Sequence, residues 1–114
     1  MMNYFKRSEF KCKCGHCDQD TVDYELMMLL NKVRAHFHAP VTINSGNRCP
    51  AYNKRIGGSK NSQHLRGRAA DIVVDGVHPH RIYDLLTLWY PDSYGIGRYE
   101  TFTHIDSRTT KARW

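Results

Sequence analysis

From residue 20 onward the apolar positions change period several times, and each change predicts an element. Val22, Leu26, Leu29, Leu30, Val33 and Phe37 recur three and four apart, a spacing that lines one face of a helix. Asp20 or Thr21 supplies its N-cap, and Pro40 closes it off. Residues 41–44 are short and β-branched, which predicts a strand, and Ser45-Gly46-Asn47 reads as a turn. Pro50 suits the opening of a short helix that Gly57-Gly58 ends. The polar, glycine-bounded stretch 59–67 predicts a loop. Residues 69–74 form a second strand, with Ala70, Ile72 and Val74 on one side and Ala69, Asp71 and Val73 on the other. Pro79 starts a second amphipathic helix burying Ile82, Leu85, Leu86 and Trp89, with Pro91 just beyond it. Stretches 94–99 and 102–107 are two more strands across a tight turn. The alternation predicts an α+β fold: a small, largely antiparallel sheet flanked by helices.

Composition sets the frame. A chain of 114 residues suits one domain, 1–114, on which residues 1–19 pack as an irregular, cysteine-rich lead-in. With 40% hydrophobic and 25% charged residues, the chain is globular rather than disordered. No apolar run approaches the roughly 20 residues of a membrane span, so no membrane insertion is expected. The segment 1–13 is polar and basic and lacks the apolar stretch of a secretory signal. This predicts synthesis in the cytoplasm, with release by lysis left open. The net charge of +6 favours a polyanionic partner, nucleic acid or an anionic cell wall. The basic residues are scattered, however, which equally suits a merely soluble surface.

Two segments carry candidate chemistry. In Ser62-Gln63-His64-Leu65-Arg66-Gly67-Arg68-Ala69-Ala70-Asp71, an imidazole on a loop precedes a carboxylate on a strand by seven residues. Gly67 lets the loop fold back so that the two can converge. A carboxylate among Ala, Ile and Val is costly unless compensated, and a metal would compensate it. In Phe102-Thr103-His104-Ile105-Asp106, His104 and Asp106 share a strand face while Ile105 turns to the core. Two histidines and one carboxylate are a set that catalytic zinc uses, with a fourth position open. Taken singly, each of these residues also fits a purely structural role.

At these positions the chain resembles the zinc D-Ala-D-Ala carboxypeptidase family, which includes phage endolysins and murein endopeptidases and shares its fold with the hedgehog signalling domain. The motif stands here as Ser62, His64, Gly67, Ala69 and Asp71, then His104 and Asp106. Further similarity lies in Ser45-Gly46-Asn47-Arg48, Asn53, Gly57-Gly58, Gly95-Ile96-Gly97 and the ending Ala112-Arg113-Trp114. The resemblance implies a zinc metallopeptidase that hydrolyses peptide bonds of bacterial peptidoglycan. It implies His64, Asp71 and His104 as zinc ligands and Arg48 as the group stabilising the oxyanion. Ser62 and Gln63 would shape the loop or bind substrate. The general base is implied less directly, because relatives carry an acid or histidine shortly before the last ligand, and Thr101 stands three residues before His104. Asp106 is the first candidate and Glu100 the second. Asp106 could instead orient a ligand histidine. Cross-bridge endopeptidases, carboxypeptidases and L-Ala–D-Glu endopeptidases all occur in the family. The implied partner is a wall peptide, met by a monomer whose basic surface stands in for a wall-binding domain.

Cys12, Cys14 and Cys17 form a compact Cys-x-Cys-x-x-Cys cluster, with Cys49 later. Three readings stay open: a structural zinc, joined by Cys49 or His16; disulfides pinning the lead-in near Arg48; or free thiols. The lack of a signal sequence weighs against disulfides. Two other functions compete with a peptidase. A catalytically silent zinc-binding module of the same fold would explain Thr101. A basic nucleic-acid-binding zinc protein would explain the charge and cysteines, but not His64, Asp71 and His104.

Overall fold

The computed structural model describes residues 3–114, and Met1 and Met2 of the lead-in lie outside them. Helix α1 spans Tyr24–Phe37. It starts later than the sequence pattern suggests because Asp23, not Asp20 or Thr21, is the N-cap, its carboxylate accepting from the Leu26 N–H at 3.2 Å. The residues before it serve elsewhere: the Thr21 N–H donates to Asn47 Oδ1 at 3.1 Å and the Asp23 N–H to the Gly67 carbonyl at 2.8 Å. Backbone spent on these ties cannot extend the helix.

Strand β1 (Val41–Ser45) leads to the short helix α2 (Pro50–Arg55). The predicted loop after it contains a 3-10 turn, Gln63–Arg66, capped by Ser62. Next come β2 (Ala69–Val74), α3 (Pro79–Trp89), β3 (Gly95–Arg98) and β4 (Thr103–Asp106). The last two strands are shorter than their sequence pattern suggests. A fifth strand, β5 (Ala112–Arg113), pairs parallel with β3. Two residues carry no periodicity, so the sequence pattern misses it. The sheet order is β1-β2-β4-β3-β5, and the other three pairings are antiparallel.

Register gives the sheet two functions. Ala70, Ile105 and Ile96 lie side by side on one face and are fully buried. With Leu26, Leu30 and Val33 of α1, Ile72 and Val74 of β2, and Ile82 and Leu86 of α3, they make the core. On the other face, one residue along, Asp71 stands opposite His104, and His104 opposite Gly97. A side-chain period of two thus separates apolar support from candidate chemistry.

The lead-in contributes to the core. Phe10, at the end of a 3-10 turn (Arg7–Phe10), is 1% exposed, and Phe5 packs edge-on to it. Gly46 admits this contact, since a Cβ there would lie 2.8 Å from the Phe10 Cα.

Candidate metal centre

The 3-10 turn presents His64. Ser62 Oγ accepts from the His64 N–H at 3.2 Å, and Gly67 ends the turn in the left-handed region at φ +68°. The His64 carbonyl takes hydrogen bonds from Asn47 Nδ2 (3.1 Å) and the Arg48 N–H (3.0 Å). Its ring Nδ1 lies 2.8 Å from the Gly46 carbonyl. A carbonyl only accepts, so Nδ1 carries the proton and the Nε2 lone pair is free. That Nε2 faces Asp71 Oδ1 at 3.3 Å.

Strand pairing presents the other two groups. His104 Nδ1 lies 3.0 Å from the same Asp71 Oδ1, and His104 Nε2 lies 2.7 Å from Asp106 Oδ2. The second oxygen of Asp71 accepts from Arg48 Nη2 at 3.2 Å. His64, Asp71 and His104 are 2%, 7% and 7% exposed. Each turns one donor atom inward and is held from behind by another group: the Gly46 carbonyl, Arg48 and Asp106. Contacts from behind of this kind fix ring orientation and tautomer in zinc sites.

The donor set fits zinc. Ligand atoms on a tetrahedral ion with bonds of about 2.0–2.1 Å lie about 3.3 Å apart. The inward atoms here are separated by 3.0 and 3.3 Å at two edges and all lie within 4.8 Å of one another. Charge points the same way. Burial raises the Asp71 carboxyl, but the adjacent imidazoles of His104 and His64 outweigh it and hold the group below the usual carboxylate range. Burial lowers His104, but its hydrogen bonds to Asp106 and Asp71 prevail and its pKa is raised.

The two candidate bases lie away from this convergence. Asp106 is fully buried behind His104, with the Gly95 N–H and the Arg108 N–H and Nε on one oxygen and Arg108 Nη2 and His104 on the other. Burial raises its carboxyl, yet His104 and Arg108 hold it below the carboxylate range. A carboxylate so occupied stands behind His104 and has no oxygen free towards the cleft. Glu100 points to solvent and pairs with His80 at 3.2 Å. Arg48 lies on the wall of a cleft of about 540 Å³ shared with His64, Asp71 and His104. Besides Asp71 it contacts Ser45 Oγ (3.0 Å) and Asn53 Oδ1 (3.1 Å), so its guanidinium is fixed in place.

Sequence reasoning missed the aromatic wall of the cleft. Tyr99 and Phe102 stack at 4.3 Å, Trp114 Nε1 donates to the Tyr99 hydroxyl at 2.8 Å, and the Trp114 ring packs 4.8 Å from that of His104. An aromatic cluster between a turn and a strand-end signalled it. Gln63 lines the same cleft, with its Oε1 buried and without a hydrogen-bond partner.

Two other groups bring metal-ligating atoms together among the described residues: Cys12, Cys14, Cys17 and Cys49, and His78, His80 and Glu100. Arg98 Nη2 lies 3.2 Å from His80 Nδ1 in the second, and that cation opposes a metal there. In the first, the His16 N–H holds Cys14 down to about 6. Cys17 is pushed up to about 11: the Gln19 backbone lowers it, but its contact with Cys14 and its burial outweigh that.

A model of the Peptidase M15 family matches residues 3–106, from the lead-in through β4, and so takes in Arg48, His64, Asp71, His104 and Asp106. No curated protein matches the chain.

Proposed function

We propose that this chain, which belongs to the Peptidase M15 family, is a zinc-dependent peptidase that hydrolyses peptide bonds of bacterial peptidoglycan at the cell wall. The observation that carries the reading is the convergence of His64 Nε2, Asp71 Oδ1 and His104 Nδ1, each supported from behind. In this reading the three residues hold the ion. When bound, zinc polarises the scissile carbonyl and acidifies water. Arg48 stabilises the negative charge that develops on the carbonyl oxygen, a role suited to an immobilised guanidinium. Asp106 keeps His104 in the tautomer that leaves Nδ1 free for the metal. The Tyr99, Phe102 and Trp114 surface takes the apolar part of a stem peptide.

One observation favours a second reading, a catalytically silent zinc-binding module. Among the described residues lining the cleft, Asp71 is the only carboxylate, and Thr101 stands where relatives carry an acid or histidine. The two readings separate when purified protein is incubated with peptidoglycan and released fragments are analysed by mass spectrometry. Fragments are expected from the native protein, and none with EDTA or with His64→Ala. Their masses name the bond. A protein carrying stoichiometric zinc that releases nothing would sink the peptidase and leave the binding module.

A further inference from the structure

We propose that Cys12, Cys14, Cys17 and Cys49 hold a second zinc ion as a closed tetrathiolate site that fastens the lead-in to the segment bearing Arg48. Each of the four sulfurs lies within 4.8 Å of the other three. Zinc–thiolate bonds of about 2.3 Å place tetrahedral sulfurs about 3.8 Å apart, so small side-chain rotations close the set on an ion.

Local structure gathers the sulfurs and points backbone donors at them. Gly15 takes φ +80°, and a Cβ there would meet nothing within 4 Å, so glycine serves the turn rather than the space. The turn brings Cys14 and Cys17 Sγ to 3.4 Å and aims the His16 N–H at Cys14 Sγ at 3.2 Å. The Cys49 N–H donates to Cys12 Sγ at 3.3 Å, and the Tyr52 N–H to Cys49 Sγ at 3.4 Å. Peptide N–H groups thus point at three of the four sulfurs, the arrangement that surrounds sulfur in thiolate metal sites. Disulfides would consume the sulfurs in pairs and leave those donors on poor acceptors. Four soft ligands with no open position select a structural zinc rather than a catalytic one. The surplus negative charge of such a site meets Lys11, Lys13 and Lys54 nearby in the chain, and Arg55, which reaches the Cys14 carbonyl at 3.5 Å.

The placement has a consequence. Cys12 follows Phe10, whose carbonyl accepts from the Asn47 N–H at 2.9 Å, and Cys49 follows Arg48 and caps α2. An ion here joins segments 37 residues apart in the chain, beside the groups that support His64 and Asp71 from behind. Closing a loop of that length with a metal stabilises the fold.

The test reads metal content and cobalt spectra, so it stands apart from peptidase activity. The native protein is expected to carry about two zinc ions per chain, with Cys14→Ser and His64→Ala each reducing this to about one. Cobalt-substituted native protein and His64→Ala should both show an intense near-ultraviolet thiolate-to-cobalt charge-transfer band. Should Cys14→Ser not fold, Cys17→His keeps four ligands and should weaken the band while retaining the ion. An organomercurial should release one zinc from native protein. A native protein with no such band, or an intact mass short by the hydrogens of a disulfide, would overturn the proposal. Loss of only the His64-dependent ion, with the band intact, would support it while telling against the proposed centre.

Discussion

His104 is bracketed by two carboxylates, Asp71 at 3.0 Å and Asp106 at 2.7 Å, and this makes the centre proton-linked. With its pKa raised, His104⁺ stabilises the metal-free fold below the ordinary histidine value of 6.5, and that stability is lost as pH rises through the folded value. Asp71 and Asp106 act in the opposite sense. Held below the usual 3.8, they stabilise above it, and that contribution disappears as pH falls through their folded values. Zinc must displace the His104 proton, so binding at this centre should weaken as pH falls. Calorimetry in buffers of different ionisation enthalpy should show that proton released. Asp106→Asn removes the carboxylate behind His104. It should lower zinc affinity at this centre about 10–100-fold in a chelator competition and diminish the proton release. Unchanged affinity and proton release would contradict an orienting role for Asp106. The sequence offered His64, Asp71 and His104 as candidates by residue type and spacing, and the family resemblance added Arg48. It left open whether Asp106 serves as base or orienting group, since that depends on Arg108 and the Gly95 N–H closing over its oxygens.

At the scale of elements, the turn between α2 and β2 governs whether His64 meets Asp71. Gly67 takes φ +68°, and a Cβ there would lie 2.6 Å from the Thr21 carbonyl oxygen, so conformation and space both require glycine. Gly67→Ala is expected to destabilise the protein by more than about 1 kcal/mol in denaturant unfolding, and to weaken the His64-dependent zinc. A neutral substitution would show that the turn is not held against Thr21. The hydrophobic period made α1 and α3 legible. The helix start was misplaced because Thr21 and Asp23 give their N–H groups to Asn47 and Gly67, partners remote in sequence.

Over the whole molecule, the charge of +6 is scattered in sequence, yet Lys54, Arg55, Lys60 and Arg66 are exposed on the stretch that runs from α2 to the turn bearing His64. If the partner is an anionic wall, retention on isolated cell walls should fall as salt rises from about 0.05 to about 0.5 M, where the Debye length shrinks to a few ångströms. Lys54→Glu with Lys60→Glu should weaken retention more than reversing Lys32 and Arg81 on the helices. Salt-independent retention would remove electrostatics from wall recognition. The sequence by itself determined the α+β pattern, the apolar faces, His64, Asp71 and His104 as candidate ligands, and the Cys12, Cys14 and Cys17 cluster, because periodicity and residue chemistry are local properties. Only the tertiary structure decided which atoms stand behind the ligands, that β5 pairs with β3, and that Cys49 joins Cys12, Cys14 and Cys17. Backbone carbonyls, strand register and contacts across 37 residues of chain come from packing, which no local pattern encodes.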